Sequence, residues 1–96
     1  MNKIKIGALV YDVLRVGDLH RGKKKLDGHI SHHSTTIQTE ASMNHQANTQ
    51  VLLHEVIHGI LMQACRDVDE ETVDVLSFGV YQVMRDNPEF VQMIVT

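Results

Sequence analysis

The stretch VLLHEVIHG, residues 51–59, decides how the second half of this chain folds. Around it, apolar side chains recur at steps of three and four residues, the period of an amphipathic helix: Val51, Leu52, Val56, Ile60, Leu61 and Ala64. This pattern predicts a helix from about residue 46 to residue 65. Asn44 and Asn48 are both suitable caps for it, because an asparagine side chain can accept a hydrogen bond from a backbone N–H of the first turn.

Within this helix, His54 and His58 are four residues apart, so both imidazoles lie on the same face, one turn from each other. Two imidazoles in that arrangement can bind a single metal ion. Glu55 lies about 100° around the helix from His54, too far round to bind the same ion comfortably. It can still reach a water that the ion activates, take a proton from it and pass the proton on. The competing interpretation is an amphipathic helix with two surface histidines.

A catalytic zinc ion usually takes three protein ligands and leaves a fourth position open, so a third ligand must come from elsewhere. Apolar residues at helical spacing predict a second helix over residues 70–86, which Asp67 or Asp69 could cap. A short link makes two such helices antiparallel, and the first turn of the second then faces the middle of the first. Glu70 and Glu71 both lie in that first turn and are the candidate ligands.

The first half of the chain has the patterns of β-strands. Residues 3–16 are rich in β-branched side chains and predict one strand, and residues 27–39 predict a β-hairpin. The basic residues 21–25, RGKKK, predict a solvated hairpin loop between the two. Near the other end, Pro88 stops the second helix and suits the start of a short third one, residues 89–95.

The 96 residues predict a single α+β domain, 1–96, with a β-rich part, 1–43, followed by a helical part, 44–96. The β-rich part is expected to form a small three-stranded antiparallel sheet. The helical part is expected to contain the helix with the two histidines, a glutamate-bearing helix and a short C-terminal helix. Hydrophobic residues make up 43% and charged residues 22%, which excludes an intrinsically disordered chain.

Charge and cysteine content restrict partners and location. The formal net charge is −3, and no basic run extends beyond residues 21–25, so neither nucleic acid nor a membrane surface is an expected partner. No apolar window approaches the length of a membrane span, and the apolar stretch 6–11 is too short for a signal peptide. Cys65 is the single cysteine, which excludes an internal disulfide and fits a reducing compartment. It falls in an apolar helical run, which predicts a core position. A cytoplasmic protein is therefore expected.

The motif His54-Glu55-Val56-Ile57-His58, followed by Gly59, resembles the active-site helix of gluzincin-type zincin metallopeptidases. The similarity is to their compact forms, the minigluzincins and the ImmA/IrrE-like and phage-type proteins. It implies a cofactor, Zn²⁺, and a peptide or protein substrate. It also implies a catalytic role for Glu55 as general base and acid, with His54 and His58 as zinc ligands.

The same resemblance bears on the third ligand. In such families the glutamate-bearing helix has apolar and small residues three, six and seven positions after the ligand, and Glu70 matches that register. Glu71 points away from the apolar stripe, which favours solvation. Asp74, one turn after Glu70, would then accept a hydrogen bond from a ligand histidine. A simple surface charge at Asp74 is the alternative.

Larger zincins have a side chain that stabilises the tetrahedral oxyanion, and this sequence assigns no residue to that role. His29, His32, His33 and His45 are candidates by residue type alone. Two other functions therefore stay open. One is a zinc-stabilised binding or regulatory module with little or no protease activity, and the other is a helical interaction domain that binds no metal. The 27–39 hairpin could offer an edge strand to an extended substrate.

Overall fold

The structure is a computed structural model that describes residues 2–96. Strands occupy the first half of the chain and helices the second, which confirms the α+β class. The elements in chain order are β1 (Lys3–Ile6), β2 (Leu9–Val16), β3 (His20–Arg21), β4 (Lys24–Lys25), β5 (Gly28–Ser31), β6 (Thr36–Glu40), α1 (His45–Gln63), α2 (Glu70–Asp86) and α3 (Pro88–Val95).

The main sheet corrects the prediction of three antiparallel strands. It has four strands in the order β1-β2-β6-β5 and is mixed, because β2 and β6 run parallel while the other two pairs are antiparallel. The single strand predicted over residues 3–16 is a β1–β2 hairpin. Gly7 reverses the chain there with a φ of +57°, a conformation that glycine adopts without the steric cost other residues meet.

The hairpin predicted over residues 27–39 is confirmed as β5 and β6, with Ile30 opposite Ile37. Its first arm, β5, is an edge strand of the sheet. The basic segment between the two predicted strand regions is an exposed hairpin, as predicted. Its strands β3 and β4 form a separate two-stranded antiparallel ribbon, in which Arg21 pairs with Lys24. We refer to residues 20–25 as the basic ribbon.

One face of the sheet packs against α1. The buried cluster contains Ile6, Tyr11, Ile30 and Ile37, with Leu52 and Val56 of α1 packed against it. Gly59 permits the closest approach between helix and sheet. A Cβ atom at this position would lie 2.8 Å from the Cδ1 atoms of both Ile6 and Ile30. The glycine that follows the histidine motif is therefore a packing requirement.

The caps and ends of the helices settle several sequence alternatives. The Asn44 side chain accepts a 2.9 Å hydrogen bond from the Ala47 backbone N–H and caps α1, and Asp69 caps α2 by accepting from Thr72. The predicted core position of Cys65 is wrong, since it is exposed, lies beyond the end of α1 and has a φ of +55°. No helix within residues 2–96 has the length and apolar character needed to cross a membrane.

Two glycine substitutions test the close packing of α1 at Gly59 against Ile6 and Ile30 of the sheet. Gly59→Ala is expected to lower the free energy of unfolding by about 1–2 kcal/mol, because overpacking two buried isoleucines outweighs the gain in helix propensity. Gly79→Ala, in α2, is the matched control, since a Cβ atom there meets nothing within 4 Å. It should raise the free energy of unfolding by about 0.5–1 kcal/mol. Urea denaturation measures both, and equal stabilisation by the two substitutions would contradict this close packing.

Candidate metal centre

The antiparallel packing of α1 and α2 brings three potential ligands together. Glu70, the first residue of α2, has one carboxylate oxygen 3.2 Å from His54 Nε2 and the other 2.5 Å from His58 Nε2. The two Nε2 atoms are 3.1 Å apart. One ligand atom from each of the three residues lies within 4.8 Å of the others, and we refer to His54, His58 and Glu70 as the triad. Glu71 is not part of it.

The donor set of the triad fits a divalent metal ion. Two imidazole nitrogens and a carboxylate oxygen converge on one point, and each can supply a lone pair to a cation there. The His54 and His58 side chains are largely shielded, at 12% and 23% exposed, while Glu70 is 69% exposed. The triad is therefore enclosed on the α1 side and open to solvent on the Glu70 side.

Asp74 occupies the place that the sequence suggested for it. Its carboxylate lies 3.0 Å from His54 Nδ1, one helical turn after Glu70 on the same face of α2. When Nδ1–H donates to Asp74, the proton of the neutral imidazole is on that nitrogen, and Nε2 keeps a free lone pair for a metal. The carboxylate thus selects the tautomer and fixes the orientation of the ring.

Glu55 is the only acidic residue of α1, and its side chain is buried, with 8% of the residue exposed. Burial raises the pKa of its carboxyl group to about 7, the nearby charge of His54 lowers it, and that of Glu70 raises it further. The carboxylate lies directly against the edge strand, because a Cβ atom on Gly28 would come within 3.0 Å of Glu55 Oε2. Such a Cβ atom would also lie 2.6 Å from Val51 Cγ1, so Gly28 makes room for both Val51 and Glu55 of α1.

Two adjoining clefts, of about 330 and 350 Å³, give access to Glu55. Both are lined by Gly28, Glu55 and Glu70, and the first also reaches His58 while the second reaches His54. The clefts run between α1, the start of α2 and the edge strand β5. A ligand lying beside β5 would therefore contact the buried carboxyl group and the triad together.

The histidines considered as oxyanion donors are dispersed. His29 lines the first cleft, beside Glu55 and His58. His32 is instead hydrogen-bonded to the hydroxyl group of buried Tyr11 at 2.8 Å. His33 and His45 are not among the described residues that line either cleft.

Two features of the site were missed from the sequence. Gly28 was assigned only to a hairpin arm, because a glycine before a strand is typical of turns and does not indicate a contact with a distant helix. Arg21 and Lys24 line the same cleft as Glu55 and His58, a position that the predicted solvated hairpin loop did not indicate. A cluster of like charges in a short segment was the only signal in the sequence.

No family model matches the chain, and no curated protein or solved structure matches it either. The resemblance to gluzincins remains a prediction that depends on the motif.

Conservative substitutions test the triad by zinc titration of metal-free protein in a calorimeter. Asp74→Asn removes the charged acceptor behind His54 and is expected to weaken zinc binding about 10- to 100-fold. Glu70→Gln removes the negative charge of the carboxylate and should weaken zinc binding more than Asp74→Asn does. Glu71→Gln is the matched control, one residue along the same helix, and should leave the affinity unchanged. Equal effects of the two glutamate substitutions would exclude Glu70 as a ligand.

The buried carboxyl group predicts a pH-dependent stability of the metal-free protein. The pKa of Glu55 is about 7 in the folded state against 4.5 for an unperturbed carboxyl, so the unfolded state releases this proton first as the pH rises. The contribution of Glu55 is then most favourable below pH 4.5 and is lost between pH 4.5 and about 7. Glu55→Gln should therefore stabilise the metal-free protein more at pH 8 than at pH 4.5, as measured by urea denaturation. A pH-independent difference would show that burial does not perturb Glu55.

Proposed function

We propose that this protein is a zinc-dependent metallopeptidase that hydrolyses peptide bonds. The observation that carries the proposal is the buried carboxyl group of Glu55 beside the triad, reached by the same clefts. A purely structural metal site has no use for an acidic group in that place, where burial costs stability. A hydrolytic site needs one, because a water must lose a proton before it attacks a carbonyl carbon.

His54, His58 and Glu70 would hold the zinc ion. Two nitrogen ligands and one carboxylate are a known catalytic set for zinc, and such a set would leave a fourth position for water. When bound, zinc would supply the Lewis acidity that makes a water acidic near neutral pH. Asp74 would keep His54 in the tautomer that presents Nε2.

Glu55 would act first as base and then as acid. Its carboxylate accepts a proton from the water as the water oxygen forms a bond to the carbonyl carbon of the substrate. The same proton is delivered to the leaving nitrogen as the peptide C–N bond breaks. Burial supports both steps, because a carboxylate whose pKa is raised to about 7 is a stronger base and still releases its proton near neutral pH.

The edge strand β5 offers a docking position for an extended peptide. Within residues 2–96 its outer edge has no partner strand, and its first residue, Gly28, lies against Glu55. A peptide that added to this edge by main-chain hydrogen bonds would pass along the two clefts. Its scissile carbonyl group would then lie near both the triad and Glu55.

Glu55→Gln tests the function with the fold and the ligands preserved. It is expected to reduce cleavage of an unstructured protein by about 10²- to 10⁴-fold, because the proton acceptor is removed. Zinc content, measured by elemental analysis, should stay at the wild-type level. Glu71→Gln is the control and should cleave like the wild type.

Two other results would decide against a peptidase. Equal turnover by the wild type and Glu55→Gln would mean that the cleavage comes from a contaminant or from another site. A zinc-loaded wild type without turnover would favour the zinc-stabilised binding module instead.

A further inference from the structure

The basic ribbon, residues 20–25, borders the cleft that leads to Glu55. Arg21 and Lys24 are directly opposite each other in it, so their side chains share one face of the ribbon. Both line the cleft that contains Glu55 and His58. Two cations are therefore placed together at the mouth of the candidate active site.

The side-chain pairing of Arg21 with Lys24 does not stabilise the ribbon. Like charges directly opposite each other on adjacent strands are destabilising. Within residues 2–96, no ion pair joins either side chain to a carboxylate. The one acidic residue of the triad, Glu70, is already engaged by two histidines. The two cations thus keep their capacity to bind an anion.

The ribbon is anchored at its base. Leu19, just before it, is buried, and its backbone N–H donates a 2.7 Å hydrogen bond to the carboxylate of Glu40 at the end of β6. Leu26, just after it, donates from its backbone N–H to the Leu19 carbonyl at 2.9 Å. The same Glu40 carboxylate accepts from the Ser42 backbone N–H at 3.0 Å. These bonds fix the ribbon against the main sheet and keep its cations at the cleft.

We propose that Arg21 and Lys24 bind a carboxylate of the peptide substrate, so that the protein prefers peptides with a negative charge near the cleaved bond. This inference rests on the proposed function. A guanidinium group matches a carboxylate through two parallel N–H···O bonds, and the neighbouring ammonium group adds a second cation. The carboxylate can come from an aspartate or glutamate side chain or from the free C-terminus of the substrate.

Peptide binding tests the inference independently of turnover. The protein is zinc-loaded Glu55→Gln, in which hydrolysis is suppressed, and binding is followed by fluorescence anisotropy. Three labelled peptides share one sequence: one with glutamate and an amidated C-terminus, one with glutamine and an amidated C-terminus, and one with glutamine and a free C-terminus. One of the two charged peptides, with glutamate or with the free C-terminus, is expected to bind at least about 10-fold tighter than the amidated glutamine peptide. The peptide that binds tighter identifies the source of the carboxylate.

The preference should depend on the two cations at the cleft. Arg21→Gln with Lys24→Gln should remove it, whereas Lys23→Gln, in the turn of the ribbon and outside the cleft lining, should retain it. Zinc affinity should stay unchanged, and stability should be no lower, since the substitutions remove a like-charge pair. A preference that survives in the double variant, or that no peptide shows, would overturn the inference.

Wild-type turnover of the same peptides separates this inference from the proposed function. Turnover without any dependence on Arg21 and Lys24 would remove the inference and leave the peptidase. A ribbon-dependent binding preference without turnover would support the inference for a peptide-binding module and remove the peptidase.

Discussion

The contact of Glu70 with His54 and His58 is the interaction on which the candidate metal site depends, because it joins the start of α2 to the middle of α1. Only two residues of α2, Val73 and Ser77, are buried, so apolar packing alone holds this helix weakly to the rest of the chain. Ser77 accepts a hydrogen bond from the Gln50 side chain of α1 at 3.1 Å, and Glu70 and Asp74 add polar contacts with the two histidines of α1. A cation in the triad would bind α2 to α1, so that metal affinity would contribute directly to folding. That contribution is valuable in a domain of this size, whose core is thin.

The same arrangement places an energetic cost at the centre of the molecule. Glu55 is buried between α1 and the edge strand, where its carboxyl group loses hydration and its pKa rises. Gly28 allows this burial because it has no side chain. Gly59, one turn after Glu55 in α1, lets the helix lie close to the sheet. The site therefore depends on two glycines that carry no chemistry themselves. Their role is to set the distance between α1, which carries His54 and His58, and the edge strand β5.

Charge is distributed unevenly around this centre. The chain carries a formal net charge of −3, yet the basic ribbon is held against the main sheet at the mouth of the cleft. Its position comes from Glu40, whose pKa is lowered to about 2 chiefly by the backbone hydrogen bond from Leu19. The buried carboxylate of Glu40 accepts hydrogen bonds from backbone N–H groups and thereby holds the cations of the basic ribbon beside the cleft. The hydrogen bonds of Glu40 fix the ribbon, and the ribbon places the charges of Arg21 and Lys24 at the cleft that leads to Glu55.

The sequence alone determined the features that depend on local spacing. Helical period placed α1 and α2 within a few residues of their ends, Pro88 placed the start of α3, and a four-residue step placed His54 and His58 on one face. The short link between helices limited the candidates for a third ligand to Glu70 and Glu71. Tertiary structure decided what depends on contacts between distant residues: the parallel pairing of β2 with β6, the position of Gly28 against Glu55, and the placement of the basic ribbon at the cleft. These could not be read from the chain because side-chain period sets which face a residue occupies, whereas strand order and burial are set by the whole fold.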